Sequence, residues 1–166
     1  VVEKALVNFN SEIIEKLKKK GCKANGLNVG QNNIFIVEQE NKALGFVGKP
    51  KKILYEKIQS ILDQQQIPVI SPMGKDEEEE KYNINADTAA AAIAKSLKSR
   101  RLLLMTDVPG VYDENKKLIN EINPVEAKDL INKKIVEGGM IPKLLNSIDA
   151  IENGVKGVVI IDGRKL

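Results

Sequence analysis

Lys143 closes the run Glu137-Gly138-Gly139-Met140-Ile141-Pro142-Lys143. Proline is favoured where a helix opens, so Lys143 falls in a first turn, where the macrodipole is positive and disfavours a cation by roughly 0.3–1 kcal/mol. Local rules broken in this way tend to mark functional positions. A Gly-Gly lead-in, helix N–H groups free of intrahelical partners and an ammonium aimed the same way describe an anion site, most simply a phosphate. The blander account is a glycine turn with the lysine pointing to water.

Two further runs carry chemistry. In Tyr82-Asn83-Ile84-Asn85-Ala86-Asp87-Thr88, Asn85 is an N-cap and Asp87 a first-turn acid, which accounts for a stable helix start. Asn83 is not needed for that purpose, yet it alternates with Asn85 and shares its side if the segment enters extended. Two amides and a carboxylate at a helix N-terminus can orient a polar substrate and a neighbouring lysine. In Leu102-Leu103-Leu104-Met105-Thr106-Asp107-Val108-Pro109-Gly110-Val111-Tyr112, an apolar strand delivers Thr106 and Asp107 to its carboxyl end, where open α/β sheets bind ligands. Asp107 could equally cap a turn with Pro109 and Gly110.

Inventory narrows the chemistry. The 166 residues contain no histidine and one cysteine, Cys22, so disulfides, zinc clusters and Ser-His or Cys-His nucleophile pairs are excluded. Asp, Asn, Lys and backbone amides remain. The net charge of +3 is spread over lysines at helical spacing with few aromatics to stack on bases, which argues against nucleic acid. No apolar run approaches the roughly 20 residues of a membrane span, and no charged-then-apolar leader opens the chain, so a soluble intracellular protein is expected. Position 1 is valine, and Val1, Val2 and Leu6 read as a helical stripe already in mid-course. A processed form or a fragment is the expectation.

The elements that must position these runs alternate. A helix capped by Asn10 or Ser11 runs through Lys20 and ends on Gly21. Strands are predicted near 23–27, 34–37, 44–47 and 67–70, the middle two forming a hairpin, with a helix from about 53 to the residues before Pro68. Pro72 and Gly74 end the fourth strand. The acids at 76–80 read as a solvated loop, since adjacent like charges cannot all converge on one ion. An alanine-rich helix follows from Asn85 to about Leu97, then a buried strand at 102–105, helices opened by Pro124 and Pro142, and a last strand at 158–161. Such alternation predicts an α/β fold, a three-layer sandwich on a largely parallel central sheet, with the hairpin added.

In this order the segments resemble the amino-acid kinase family, in particular its acetylglutamate kinase branch. The resemblance rests on Leu44-Gly45-Phe46-Val47-Gly48, Ile67-Pro68-Val69-Ile70, Tyr82 through Ala92, Thr106 through Val111, Gly138 through Lys143, and Ile160-Ile161-Asp162-Gly163-Arg164, and it covers nearly the whole chain. It implies transfer of the γ-phosphoryl of ATP, with Mg2+ carried by the nucleotide, to the side-chain carboxylate of N-acetyl-L-glutamate, a step of arginine biosynthesis. It further implies that Lys143 and Asp87 are catalytic, Lys143 neutralising the transferring phosphoryl group and Asp87 organising lysines, and that Asn83 and Asn85 bind substrate. Thr106, Asp107, Val108, Pro109, Gly110, Val111, Tyr112, Ile135, Val136, Glu137, Gly138 and Gly139 would line the nucleotide pocket. A homo-oligomer, dimer or higher, is expected with the same resemblance, and the Lys-, Asn- and Ile-rich usage, which points to an AT-rich genome, leaves cytoplasm and plastid both open. The resemblance also divides the chain into the remainder of a substrate and dimerisation lobe, residues 1–72, and a nucleotide-binding lobe, 73–166.

The family pattern includes a glycine-rich phosphate loop with a lysine and a second glycine-rich segment with an arginine, both upstream of Val1, and a helix beyond Arg164. The chain by itself is therefore expected to be inactive. Arginine-inhibited members carry histidine where Val159 stands, so inhibition by arginine is not implied. Two alternatives stay open: a kinase of a related acidic amino-acid derivative, and a nucleotide-binding fragment without chemistry.

Overall fold

The computed structural model describes residues 1–164 and divides the chain into two compact units, Val1–Ala89 and Ala90–Leu166. In the first, α1 (Val2–Lys19) opens the chain and ends where Gly21 takes φ +81°. The N–H groups of Gly21 and Cys22 then donate to the carbonyl oxygens of Lys18 and Leu17 at 2.9 and 3.0 Å, the paired bonds of a glycine C-terminal cap. The predicted N-cap at Asn10 or Ser11 is wrong. Both lie inside the helix, where the Ser11 hydroxyl donates to the carbonyl oxygen of Val7 and the buried Asn10 amide donates to that of Val69 at 2.9 Å. A partner 59 residues away outweighs the local preference for a cap.

That partner lies on β4 (Ile67–Ile70), which pairs in parallel with β1 (Ala24–Leu27). Helix α1 packs closely on this pair: a Cβ added to Gly26 would stand 2.7 Å from the Asn10 side-chain oxygen. The hairpin forms between β2 (Phe35–Gln39) and β3 (Gly48–Ile53), antiparallel, but its second strand starts later than predicted. Leu44 instead belongs to a short 3-10 turn, Lys42–Leu44, capped by the Asn41 side chain. Helix α2 (Tyr55–Asp63) turns Ile58 and Ile61 into the core. Beyond it the predicted break at Pro72 and Gly74 holds an unpredicted strand pair, β5 (Met73–Lys75) and β6 (Lys81–Asn83), antiparallel, with β5 alongside β2. The acids between them form the turn, where the Asp76 carboxylate accepts the N–H groups of Glu78 and Glu80.

Helix α3 (Ala86–Ser96) begins in the first unit and its later turns belong to the second. In the second unit, β7 (Leu102–Thr106) pairs in parallel and in full register with β8 (Val158–Asp162). Ala91, Ala94, Leu102, Leu104, Ala150 and Val155 form one core, in which small alanines let helices approach the strands closely. The predicted buried strand is buried on this side only, since Leu103 and Met105 are exposed. Helices α4 (Pro124–Asn132) and α5 (Met140–Glu152) complete the unit. Asn123 and Glu126 form a reciprocal capping box at the start of α4. The α/β fold with parallel strands is as expected, and among the described residues no helix is long and apolar enough to cross a membrane.

Candidate active site

In the first unit the run from Tyr82 enters α3 as an extended segment. Tyr82 and Ile84 are buried, so Asn83 and Asn85 take the other side, as their alternation predicted. The Asn83 N–H donates to the carbonyl oxygen of Phe46 at 2.9 Å and that of Ile84 to Pro72 at 2.9 Å, which fixes both residues from either flank. The Tyr82 ring packs against Phe46 with centroids 5.9 Å apart. Burial, with hydrogen bonding to Asp76, pushes its phenol above the usual range. The Asn85 side-chain oxygen accepts the N–H groups of Asp87 and Thr88 at 3.0 and 3.1 Å, the geometry of an N-cap. Asp87 follows in the first turn, half-buried and partnered.

In the second unit one apolar cluster draws three sequence-distant segments together. Val111, Val136 and Leu144 are buried in it with Ala127 and Ile148, and Met140, Ile141 and Ile160 pack against it. Val111 belongs to the loop after β7, Val136 to the connection after α4, and Leu144 follows Lys143 on α5. The connection is aimed by the end of α4: Lys134 adopts φ +55°, and the Ile135 N–H returns to the carbonyl oxygen of Leu130 at 3.0 Å. Beyond the loop, Tyr112 and Leu118 form an unpredicted antiparallel bridge, held by the Asp113 carboxylate accepting N–H groups of Asn115 and Lys117.

Helix α5 starts at Met140 with Gly139 as its N-cap, so Lys143 is its fourth residue and half-buried. The N–H groups expected to be free are not. Those of Met140 and Ile141 reach back to the carbonyl oxygens of Glu137 and Gly138, at 3.3 Å each, because the chain tightens into a turn ahead of the helix. Gly138 takes φ +56°, which glycine adopts without steric cost. Gly139 does not: its φ is −66°, and a Cβ there would meet nothing within 4 Å. Open space therefore lies beside both glycines and the start of the helix. A cleft of about 680 Å³ in this unit touches Pro109, Gly110 and Val111 but none of residues 135–143.

Asp162 and Arg164, to which sequence reasoning gave no role, tie the end of β8 to the loop after β7. The guanidinium grips the Asp162 carboxylate and donates to the carbonyl oxygen of Asp107. The adjacent carboxylate raises the Arg164 pKa further, chiefly through the hydrogen bond. Among the described residues no group of three or more His, Cys, Asp or Glu side chains could hold a metal ion.

The chain matches the amino acid kinase family over residues 1–162. It belongs to that family. A relative from Pelagibacter ubique named acetylglutamate kinase is 51% identical over 99% of this chain and 57% of its own length. Another of that name, from Ruegeria pomeroyi, is 41% identical over 99% of this chain and 58% of its own length. Among solved structures, smu.665 from Streptococcus mutans UA159 superposes with a TM-score of 0.88 at 31% identity, over 95% of this chain and 65% of that one. This amino-acid kinase chain thus spans less than two thirds of the length of each.

Proposed function

We propose that this chain forms part of an acetylglutamate kinase, which transfers the γ-phosphoryl of MgATP to the side-chain carboxylate of N-acetyl-L-glutamate. The observation that carries the reading is the cluster that joins the loop at 106–112, the connection at 135–139 and the start of α5 within one unit. The names and identities of the relatives support the same assignment.

On this reading Thr106, Asp107, Val108, Pro109, Gly110, Val111, Tyr112, Ile135, Val136 and Glu137 line the nucleotide, and the polyphosphate passes over Gly138 and Gly139. A substituent at either glycine would enter that space. Lys143, entering from the first turns of α5, neutralises charge that grows on the transferring oxygens. Phosphoryl transfer needs little covalent help from protein groups and runs on positioning and charge compensation, so a chain without histidine suffices. Mg2+ arrives on the nucleotide as part of the substrate. Asn83 offers its amide to the acetylated amino acid. The Asn85 oxygen is occupied by its cap, so its contact with substrate would come from its amide N–H groups. Asp87 holds lysine ammonium groups in place. A cytoplasmic homo-oligomer belongs to the same reading.

The test is Lys143→Met in the protein at the full length of its relatives, followed by trapping the acyl phosphate with hydroxylamine. A charge that acts mainly in the transition state predicts that kcat falls about 100-fold or more while ATP affinity hardly changes. An unchanged kcat removes Lys143 from the chemistry. Transfer to a different acidic amino-acid derivative in preference to N-acetylglutamate would move the chain to another branch of the family.

A further inference from the structure

Asp162, the last residue of β8, stands opposite Thr106, the last residue of β7. Its side chain is only 4% exposed. A carboxylate so far removed from water persists where hydrogen bonds and an opposite charge replace the lost hydration. Arg164 provides both. Its backbone N–H and Nε donate to Oδ1 at 3.0 and 2.9 Å, and Nη2 donates to Oδ2 at 3.0 Å. This two-pronged geometry sets the direction of the guanidinium as well as neutralising the acid.

A pair that only closed the end of the sheet would be complete within residues 162–164. Here it continues outward. The Arg164 Nη2 also donates to the carbonyl oxygen of Asp107, and the Gly163 N–H donates to that of Thr106 at 2.9 Å. The carbonyl oxygens of the last residue of β7 and the first residue of the loop after it are thus both held from the end of β8. Val111, at the other end of the loop, is anchored in the apolar cluster. Residues 107–110 between these anchors are otherwise bends without strand pairing.

We propose that Asp162 and Arg164 are positioning residues for nucleotide binding: the buried carboxylate fixes the guanidinium, and the guanidinium fixes the loop at 107–112 in its ligand-lining conformation. The proposal rests on the reading of that loop as part of the nucleotide pocket. Its physical advantage is preorganisation, since a loop ordered beforehand need not be ordered at the expense of binding energy. Lysine cannot substitute, because a single ammonium has no planar fork with which to hold a carboxylate and a carbonyl in fixed directions.

The experiment compares the full 166-residue chain with Arg164→Ala, Arg164→Lys and Asp162→Asn by amide hydrogen exchange and by MgATP titration through the millimolar range, read from amide chemical shifts. Arg164→Ala removes the countercharge of the buried Asp162 carboxylate and is expected to lower the Tm, so all variants are compared well below their Tm, where exchange reports the loop rather than global unfolding. Exchange at 107–112 should speed by about tenfold while β7 stays protected, and the Kd for MgATP should rise about fivefold or more. Arg164→Lys should restore neither, and Asp162→Asn should show the same loop signature. A lower Tm with unchanged loop exchange and unchanged ATP affinity would mean that the pair serves the sheet alone, and would overturn the proposal. Loosened loop exchange in Arg164→Ala, combined with a wild-type chain in which MgATP moves no amide of 106–112, would identify the nucleotide reading as the part that failed, and the proposal would fall with it.

Discussion

At the scale of single residues, the polar groups of the two proposed sites rest on backbone that other side chains have already fixed. Asn83 is flanked by buried Tyr82 and Ile84, and Lys143 directly precedes buried Leu144. Such neighbours restrict where a functional group can go before any ligand is present. Asp87 illustrates how a structural role and a functional one can share a position. As a first-turn acid it contributes roughly 0.3–1 kcal/mol through the helix dipole, and Asp87→Asn should cost about that much in a urea melt. If the carboxylate also holds lysines for phosphoryl transfer, turnover should fall far beyond that stability loss. A variant losing only the stability would make Asp87 an ordinary helix-opening acid.

Secondary elements set the direction of these groups through their ends. The capping box at Asn123 and Glu126 fixes the start of α4, and Lys134 with Ile135 fixes its finish, so Val136 reaches the cluster shared with Val111 and Leu144. Asn123→Ala should lower stability by about 1 kcal/mol, read as a shift in the urea midpoint at unchanged slope. A change no larger than the error would mean that water replaces the cap at no cost. The strand pair β5–β6 depends on a different feature. A Cβ at Gly74 would lie 2.7 Å from both the Phe35 carbonyl oxygen and its Cβ, and 2.5 Å from Val37 Cγ1. Backbone cannot yield as a flexible side chain can, so Gly74→Ala should destabilise by about 1–3 kcal/mol or more. Wild-type stability in that variant would show that β5 can move away from β2 freely.

For the whole molecule, ligand mapping separates the proposed roles by unit. MgATP should produce its largest amide shifts at 106–112 and 135–143, in the second unit, and N-acetyl-L-glutamate at 83–87, in the first. Nucleotide shifts centred on the β2–β3 hairpin instead would relocate the pocket. The alternation of apolar runs with Gly and Pro punctuation was enough to establish an α/β chain and the positions of most helices and strands, and local breaks in pattern singled out the runs around Asn83, Asp107 and Lys143 as candidates, because those signals are local. What escaped was decided by partners distant in sequence. Asn10 reads as a cap and is a core residue because Val69 lies within its reach. The break at Pro72 and Gly74 contains a strand because β2 is there to pair with it. Leu103 and Met105 look buried and are not, since helices cover only one side of β7 within its unit. The run Asp162-Gly163-Arg164 was legible only as a likeness. Its hydrogen bond to Asp107 spans 57 positions, and no periodicity or spacing along the chain encodes a bond that exists only once two parallel strands have aligned their ends.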